Sequence, residues 1–161
     1  MIALLPGLAA AEQVPILDAP SGPIILTVTG RIAHKNAAEG AEFDHEMLTS
    51  LPVSVIRTHT PWTDGVTEFR GVPLADLLEV VGASPGVLHA VGLNDYSVDI
   101  PTGDASTAGP IVAYERDGRL MSVREKGPLW IMYPFDENPS LRNELYRARA
   151  IWQLRSLDVR E

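Results

Sequence analysis

The stretch 69-FRGVPLADLL-78 decides the fold expected for this chain. A proline fits the first turn of a helix, where its missing N–H needs no partner, and the leucines that follow share one helical face. Val81 extends that apolar face, and Gly82 has the character of a C-cap. The stretch therefore predicts a helix over 74–82 that is entered through Gly71-Val72-Pro73 and packs on the core.

The segments before this helix predict two strands and one short helix. Residues 24–30 are rich in β-branched side chains and residues 53–60 alternate apolar and polar, so both are expected to be strands, the second stopped by Pro61. Residues 43–51 predict a short helix capped by Asp44, whereas the small and polar residues 35–42 indicate a loop.

The segments after the helix predict mainly paired strands. Asn94-Asp95 and Asp117-Gly118 are hairpin turns, the first between strands 88–92 and 96–100, the second between strands 110–115 and 120–123. A buried strand is expected over 129–134, a helix opened by Pro139 over 139–150, and a last strand over 151–159. Strands outnumber helices and no β–α–β repeat occurs, so we expect a single α+β domain over residues 12–161.

The composition excludes several kinds of site and partner. The 161 residues carry a net charge of −8, which argues against a nucleic acid or an anionic membrane as the main partner. The absence of cysteine excludes disulfides, thiolate zinc sites, iron–sulfur ligation and cysteine nucleophiles. No run approaches the roughly 20 apolar residues of a membrane span.

Residues 1–11 predict export. A short apolar run ends in Ala9-Ala10-Ala11, and small residues of this kind precede signal-peptide cleavage, although no basic n-region comes first. We therefore expect residues 1–11 to be a signal-peptide remnant or a disordered tail, and the protein to be periplasmic or secreted. The alternative is a frayed tail without a targeting role.

The first candidate site is the polar end of the strand 53–60. Thr58, His59 and Thr60 come where that strand stops, and Trp62 follows in a loop, which is how folds display binding groups. His59 is a candidate base, proton donor or phosphate donor. A metal site is not expected, because no second histidine has ligand spacing. The alternative is a half-buried His59 bonded to the backbone, with Trp62 packed on the core.

The second candidate site is the segment 122–130. Arg124 and Lys126 alternate with their neighbours at strand spacing, so we expect both to face one side and to grip a phosphate or carboxylate. The alternative is a solvated loop neutralised by Glu125. An acidic loop over 136–138, together with Glu144, is a weaker candidate for a cation site. The arginines of the next helix are expected to pair with those acids instead: Arg142, Arg147 and Arg149.

Four stretches, taken together and in order, resemble the molybdopterin-binding domain of the sulfite oxidase family. Residues 69–78 resemble its aromatic-x-Gly-Val-Pro-Leu-x-x-Leu-Leu segment, and residues 111–120 are similar to its Leu-Ala-Tyr-x-x-Asn-Gly-x-x-Leu hairpin. Residues 127–134 and 152–159 resemble its Gly-x-Pro segment and its closing strand. The resemblance implies a mixed β-sheet with a few short helices over residues 24–160.

The same resemblance implies a molybdenum site that this chain lacks the means to complete. In the family, a cysteine at the end of the strand before the Gly-Val-Pro-Leu helix binds the metal through sulfur. The matching positions, 57–60, contain no thiol, and the family's following Gly-Asn-x-Arg stretch is absent. A hydroxyl or an imidazole does not replace a thiolate as a soft ligand.

These observations predict a binding domain without catalytic residues or metal ligands. Its ligand is expected to be a small anion or a periplasmic partner protein, bound near Thr58, His59, Thr60, Trp62, Arg124 and Lys126. Two alternatives stay open. One is a domain that still binds molybdopterin through His59, Arg124 and Lys126, and the other is an oxidoreductase with a thiolate-free metal shell.

Overall fold

The computed structural model describes residues 17–161. The export prediction on residues 1–11, and the first five residues of the expected domain, lie outside this range. Within it the chain forms ten strands: β1 (Ile24–Gly30), β2 (Gly40–Asp44), β3 (Ser54–Thr58), β4 (Thr67–Pro73), β5 (Val87–Gly92), β6 (Ser97–Pro101), β7 (Ile111–Arg116), β8 (Arg119–Leu120), β9 (Trp130–Met132) and β10 (Leu154–Arg160). Four α-helices accompany them: α1 (His45–Ser50), α2 (Leu74–Val81), α3 (Asp104–Thr107) and α4 (Glu144–Arg149).

The strands form two sheets. The first has the order β2-β1-β10-β5-β6, and it is mixed because β1 and β10 run parallel while its other pairs are antiparallel. The second is antiparallel with the order β3-β4-β7-β8, and β9 also pairs with β7. The α+β class and the mixed sheet with short helices are thereby confirmed.

One continuous apolar core connects the two sheets. It includes alternate residues of the first sheet, such as Leu26 and Leu157, together with Phe69 and Val112 of the second. The apolar face of α2 lies in the same cluster, as its leucine spacing predicted. Gly82 ends this helix in the left-handed conformation, which glycine adopts without a steric penalty. Both predictions for α2 are confirmed.

A short stretch of backbone pairing joins the sheets directly. Trp130 at the start of β9 forms an antiparallel bridge with Trp152, just before β10. The N–H of Ile131 donates to the carbonyl of Ile151, and the N–H of Leu154 donates to the carbonyl of Leu129, each at 2.9 Å. This junction fixes the end of the second sheet against the start of the central strand of the first.

Several local predictions differ from the structure. Residues 40–42 of the expected loop over 35–42 instead belong to β2, which pairs with β1. Gly40 lies so close to the carbonyl of Val28 that any side chain would clash. The strand β4 was not expected before the α2 helix, nor was the single turn α3. The expected strand over 120–123 stops at Leu120, because Ser122 caps a 3₁₀ helix over Val123–Glu125 instead.

The expected helix over 139–150 is also divided. Asn138 caps a 3₁₀ helix over Pro139–Leu141, and the side chain of Asn143 then accepts from the N–H of Tyr146 to start α4. Asparagine side chains compete with helical backbone bonds in this way, so Asn138 and Asn143, five residues apart, produce two short elements. The division matters because it sets the positions of the arginines that follow.

Gly71 gives a direct test of this arrangement. At the bulge between β4 and β7, a Cβ on Gly71 would lie 2.0 Å from the carbonyl oxygen of Val112 and 2.6 Å from the Cα of Ala113. We expect Gly71→Ala to lower the free energy of unfolding by about 3 kcal/mol or more, because backbone must move to admit the methyl group.

The matched control is Gly103→Ala. Gly103 has right-handed helical angles, and a Cβ there would meet no atom within 4 Å. Its change in unfolding free energy should stay within about 0.5 kcal/mol. Urea denaturation followed by circular dichroism measures both variants, and equal stability of the two would contradict the described pairing of β4 with β7.

Candidate functional site

Thr58 ends β3 with its side chain inside the core. Residues of β3 alternate, with Ile56 and Thr58 buried and Arg57 exposed. The Oγ1 atom of Thr58 donates to the carbonyl of His59 at 2.9 Å and accepts from the backbone N–H of Asp136 at 3.1 Å. Because its donor and acceptor are both in use, this hydroxyl attaches the Asp136 segment to the end of β3.

Asp136 connects the end of β3 to the segment before α4. Its Oδ2 atom accepts from the backbone N–H of His59 at 3.0 Å and lies 2.6 Å from His59 Nδ1. Its Oδ1 atom accepts from Arg142 Nη2 at 2.9 Å. An ionised carboxylate only accepts, so the proton of this contact belongs to Nδ1 of the imidazole.

The same contacts keep Asp136 ionised. The hydrogen bond from the His59 ring, foremost, holds the pKa of the Asp136 carboxyl below its ordinary value of 3.8. Partial desolvation opposes this effect, while the His59 backbone N–H and the charges of His59 and Arg142 add to it. Both oxygens of the Asp136 carboxylate therefore already have hydrogen-bond partners, in His59 and Arg142.

Trp62 belongs to an aromatic cluster at the junction of the sheets. Thr60 Oγ1 lies 2.7 Å from Thr63 Oγ1 and accepts from the Trp62 N–H at 3.1 Å, which fixes the turn after β3. The Trp62 ring centroid lies 5.8 Å from that of Trp130 and 5.5 Å from that of Trp152. Trp130 is fully buried. Trp62 and Trp152 therefore form a wall held in place by the core.

Two adjoining cavities open beside this wall. The first, of about 420 Å³, is lined by His59, Thr60, Phe135, Asp136, Arg142 and Arg147. The second, of about 450 Å³, is lined mainly by apolar groups, including Trp62, Tyr96, Ile151 and Trp152, with Glu144 at its side. Arg147 lines both cavities. Volumes of this size suit small-molecule ligands.

The three arginines near the cavities differ in their partners. Arg142 binds Asp136, whereas Arg149 forms a largely buried ion pair with Asp104 at 2.9 Å. Arg147 is exposed and makes no ion pair within residues 17–161. The expectation that all three pair with the acidic loop is confirmed for Arg142 and wrong for the other two. Arg147 is thus a cation that the described fold leaves unneutralised.

Arg124 and Lys126 do not act as a pair. Their segment forms a 3₁₀ turn rather than a strand, so the expectation that both face one side is wrong. Lys126 instead places its ammonium 4.6 Å from the centre of the Trp152 ring. Its carbonyl accepts from the N–H of Gln153 at 2.9 Å, which ties this turn to the junction. Arg124 is exposed and lines neither cavity.

The structure brings most of the expected site residues together. His59 and Thr60 line the first cavity, Trp62 lines the second, Thr58 lies behind them and Lys126 touches Trp152. That these residues bind a ligand stays a prediction. Sequence reasoning missed the role of Asp136, Arg147 and Trp152 in the site. For Asp136 a signal existed, since it follows a buried strand in the same manner as Thr58 to Thr60.

A molybdenum centre does not fit the residues at the end of β3. The chain has no thiolate, and the hydroxyl of Thr58 is fully buried, donates its proton to the carbonyl of His59 and accepts from the N–H of Asp136. His59 holds Asp136 through Nδ1, which leaves only Nε2 as a nitrogen ligand. Within residues 17–161 no group of three histidine or carboxylate side chains has the arrangement of a metal site. The residues at the end of β3 therefore do not provide the ligands of a molybdenum centre.

Comparison with known proteins supports the fold. The crystal structure of the sulfane dehydrogenase SoxCD from Paracoccus pantotrophus is similar to this structure with a TM-score of 0.62 and 16% sequence identity. The match covers 89% of this chain and 40% of that chain, so this protein spans less than half of the length of its structural relative. No family model and no curated protein matches the sequence. The fold is thus similar to that of this sulfane dehydrogenase.

Within residues 17–161, no helix is both long and apolar enough to cross a membrane.

The hydrogen bonds of Asp136 predict a pH-dependent contribution to stability. Because its pKa in the folded state is below the unfolded value, the unfolded chain takes up the proton first as the pH falls. The contribution is therefore complete near pH 6 and is lost as the pH falls below about 4. We expect Asp136→Asn to destabilise the protein at pH 6, and the difference from wild type to shrink towards acid pH.

The neighbouring Glu137→Gln is the control, since Glu137 is exposed and makes no side-chain hydrogen bond within the described residues. Its effect should be small across the same range. Urea denaturation at a series of pH values between 6 and 3 measures both variants. A destabilisation by Asp136→Asn that stays constant over this range would show that the carboxylate is not the stabilising group.

Proposed function

We propose that this domain is a non-catalytic binding module for a small anionic ligand, bound at the first cavity. The observation that carries the proposal is Arg147, which lines both cavities and has no ion-pair partner within residues 17–161. Of the other arginines beside the site, Arg142 and Arg149 are engaged by carboxylates. A guanidinium in a concave site binds carboxylate or phosphate oxygens through two parallel hydrogen bonds.

The electrostatics of the first cavity support an anion rather than a cation. Its one carboxylate, Asp136, already accepts hydrogen bonds from His59 and Arg142. The cavity therefore presents Arg147 and the remaining N–H groups of Arg142. Both groups donate to an anion, while the competing negative charge is neutralised locally.

The arrangement does not supply a catalytic set. His59 and Asp136 form an imidazole–carboxylate pair, but no nucleophile lies within their described contacts. The hydroxyl of Thr58 is buried and donates its proton to the carbonyl of His59, and those of Thr60 and Thr63 bond to one another. Nucleophilic catalysis needs a reactive group within hydrogen-bond reach of the base. Binding is thus the function that these residues support.

The size of the cavities favours a small molecule over a partner protein. Openings of about 420 and 450 Å³ match the range of ligand pockets, whereas a stable protein interface requires a much wider surface. A sensor role in the periplasm is the cellular setting that we propose. It rests on Ala9-Ala10-Ala11 in the sequence, and fractionation of native cells with a tagged full-length chain tests it.

The alternative of a molybdopterin-dependent oxidoreductase makes a separate prediction. If the domain binds no molybdopterin, protein purified from a molybdenum-replete host should contain far less than one molybdenum atom per chain and no pterin fluorescence. Elemental analysis and an oxidised-pterin assay measure this. Stoichiometric metal and pterin would show that the domain binds this cofactor and would overturn the proposal of a small anionic ligand at the first cavity.

Arg147 provides the test of anion binding. We expect acetate, titrated at constant ionic strength, to shift the backbone amide resonances of His59 and Thr60. Arg147→Gln should weaken this binding roughly three- to tenfold, as expected for one exposed charged contact. Arg119→Gln removes the same charge on β8, away from both cavities, and should bind acetate as wild type does. Unchanged binding by Arg147→Gln would refute the proposed site.

A further inference from the structure

The second cavity presents an apolar, aromatic surface that a simple anion would not contact. Its volume is about 450 Å³, and three of its lining residues are aromatic: Trp62, Tyr96 and Trp152. Ile151 and Ala148 add further apolar surface. A small inorganic or short-chain anion held by Arg147 would leave this surface in contact with water.

The apolar wall is rigid before any ligand arrives. Trp62 and Trp152 meet edge to face with ring centroids 5.5 Å apart, and both contact the buried ring of Trp130, at 5.8 and 6.1 Å. Trp130 is further fixed by its Nε1–H, which donates to the carbonyl of Ala150 at 3.1 Å. A preformed wall binds a flat ring without first having to order its own side chains.

The first cavity favours an anion more strongly than the second. Glu144 lines the second cavity and offsets the charge of Arg147 there, whereas Arg142 and Arg147 both line the first, where Asp136 already accepts hydrogen bonds from His59 and Arg142. A ligand with one charged end therefore has one favoured orientation. Its anion lies on the Arg147 side of the first cavity, and its uncharged body lies against Trp62 and Trp152.

Lys126 argues against a cationic body for the ligand. Its ammonium lies 4.6 Å from the centre of the Trp152 ring, yet Lys126 does not line the second cavity. The Lys126 ammonium already makes the cation–π interaction with the Trp152 ring, and its charge repels a second cation nearby. The wall is consequently better suited to an uncharged aromatic ring than to an ammonium group.

We propose that the ligand class of this domain is an aromatic carboxylate, with its carboxylate on Arg147 and its ring in the second cavity. This inference rests on the proposed function, because it keeps the same anion site. It adds the requirement for an apolar ring, and it assigns the recognition of that ring to Trp62, Trp152 and Ile151.

The test compares three probes by calorimetry and by amide chemical shifts: naphthalene-1-carboxylate, naphthalene-1-methanol and acetate. We expect the aromatic carboxylate to bind at least about thirtyfold more tightly than acetate, because the ring buries apolar surface that acetate lacks. The uncharged alcohol should bind more weakly than the carboxylate. The carboxylate should shift resonances beside both cavities.

A variant that fills the second cavity sharpens the test. Ala148 is exposed on α4 and lines this cavity, so Ala148→Trp should remove most of the gain of the aromatic carboxylate over acetate. Ala75→Trp, at an exposed position of α2, is the matched control and should retain that gain. Far-ultraviolet circular dichroism verifies that both variants are folded.

The outcomes separate the two proposals. If acetate binds through Arg147 but naphthalene-1-carboxylate binds no more tightly, the aromatic ligand class is refuted and the anion site stands. If the carboxylate and the alcohol bind equally and Arg147→Gln has no effect, the cavity is an apolar site and the anion proposal falls with its extension. If Ala148→Trp fails to fold, the comparison of the three probes on the wild-type protein decides alone.

Discussion

The antiparallel bridge between Trp130 and Trp152 is the constraint on which the rest of the structure depends. Trp130 lies in β9 of the second sheet and Trp152 just before β10 of the first, and backbone hydrogen bonds on both sides of the bridge hold β9 against the start of β10. The two large rings consequently meet at 6.1 Å, and Trp62 packs across them. Because the aromatic wall is built on backbone pairing, its geometry follows from the fold itself and does not need a ligand to form.

A second connection, through Asp136, orders the polar side of the cleft. The residues that meet there, His59 and Asp136, are 77 positions apart in the sequence. Thr58 holds the Asp136 backbone and Asp136 holds the His59 backbone, so the end of β3 and the segment before α4 fix one another. In a cysteine-free chain, this region is consolidated by hydrogen bonds among polar side chains and backbone, and the positive charge that remains comes from α4.

The sequence predicted local structure well and distant contacts poorly, for a physical reason. The periodicity of α2, the Asp-Gly turn between β7 and β8, and the alternation of β3 are local patterns, and the structure has all three. Strand β2 depends on pairing with β1 that its own residues do not encode, so residues 40–42 were assigned to a loop and residues 43–44 to the following helix. The same limit applies to the site, since periodicity located His59 and Trp62 but contained no information on their partners Asp136 and Trp152.

The similarity to a sulfane dehydrogenase is a similarity of fold, and the chemistry of this chain follows from its own side chains. A net charge of −8 repels anions at long range, but this repulsion is screened within about 8 Å at physiological ionic strength. Inside the cleft the nearest charges dominate, and Arg147 attracts an anion that the rest of the surface rejects. Such a site holds simple inorganic anions weakly. Contact of a ring with Trp62 and Trp152 adds favourable free energy from apolar burial, which the net negative charge does not reduce. Selectivity in this domain therefore arises from the combination of one guanidinium with an apolar wall.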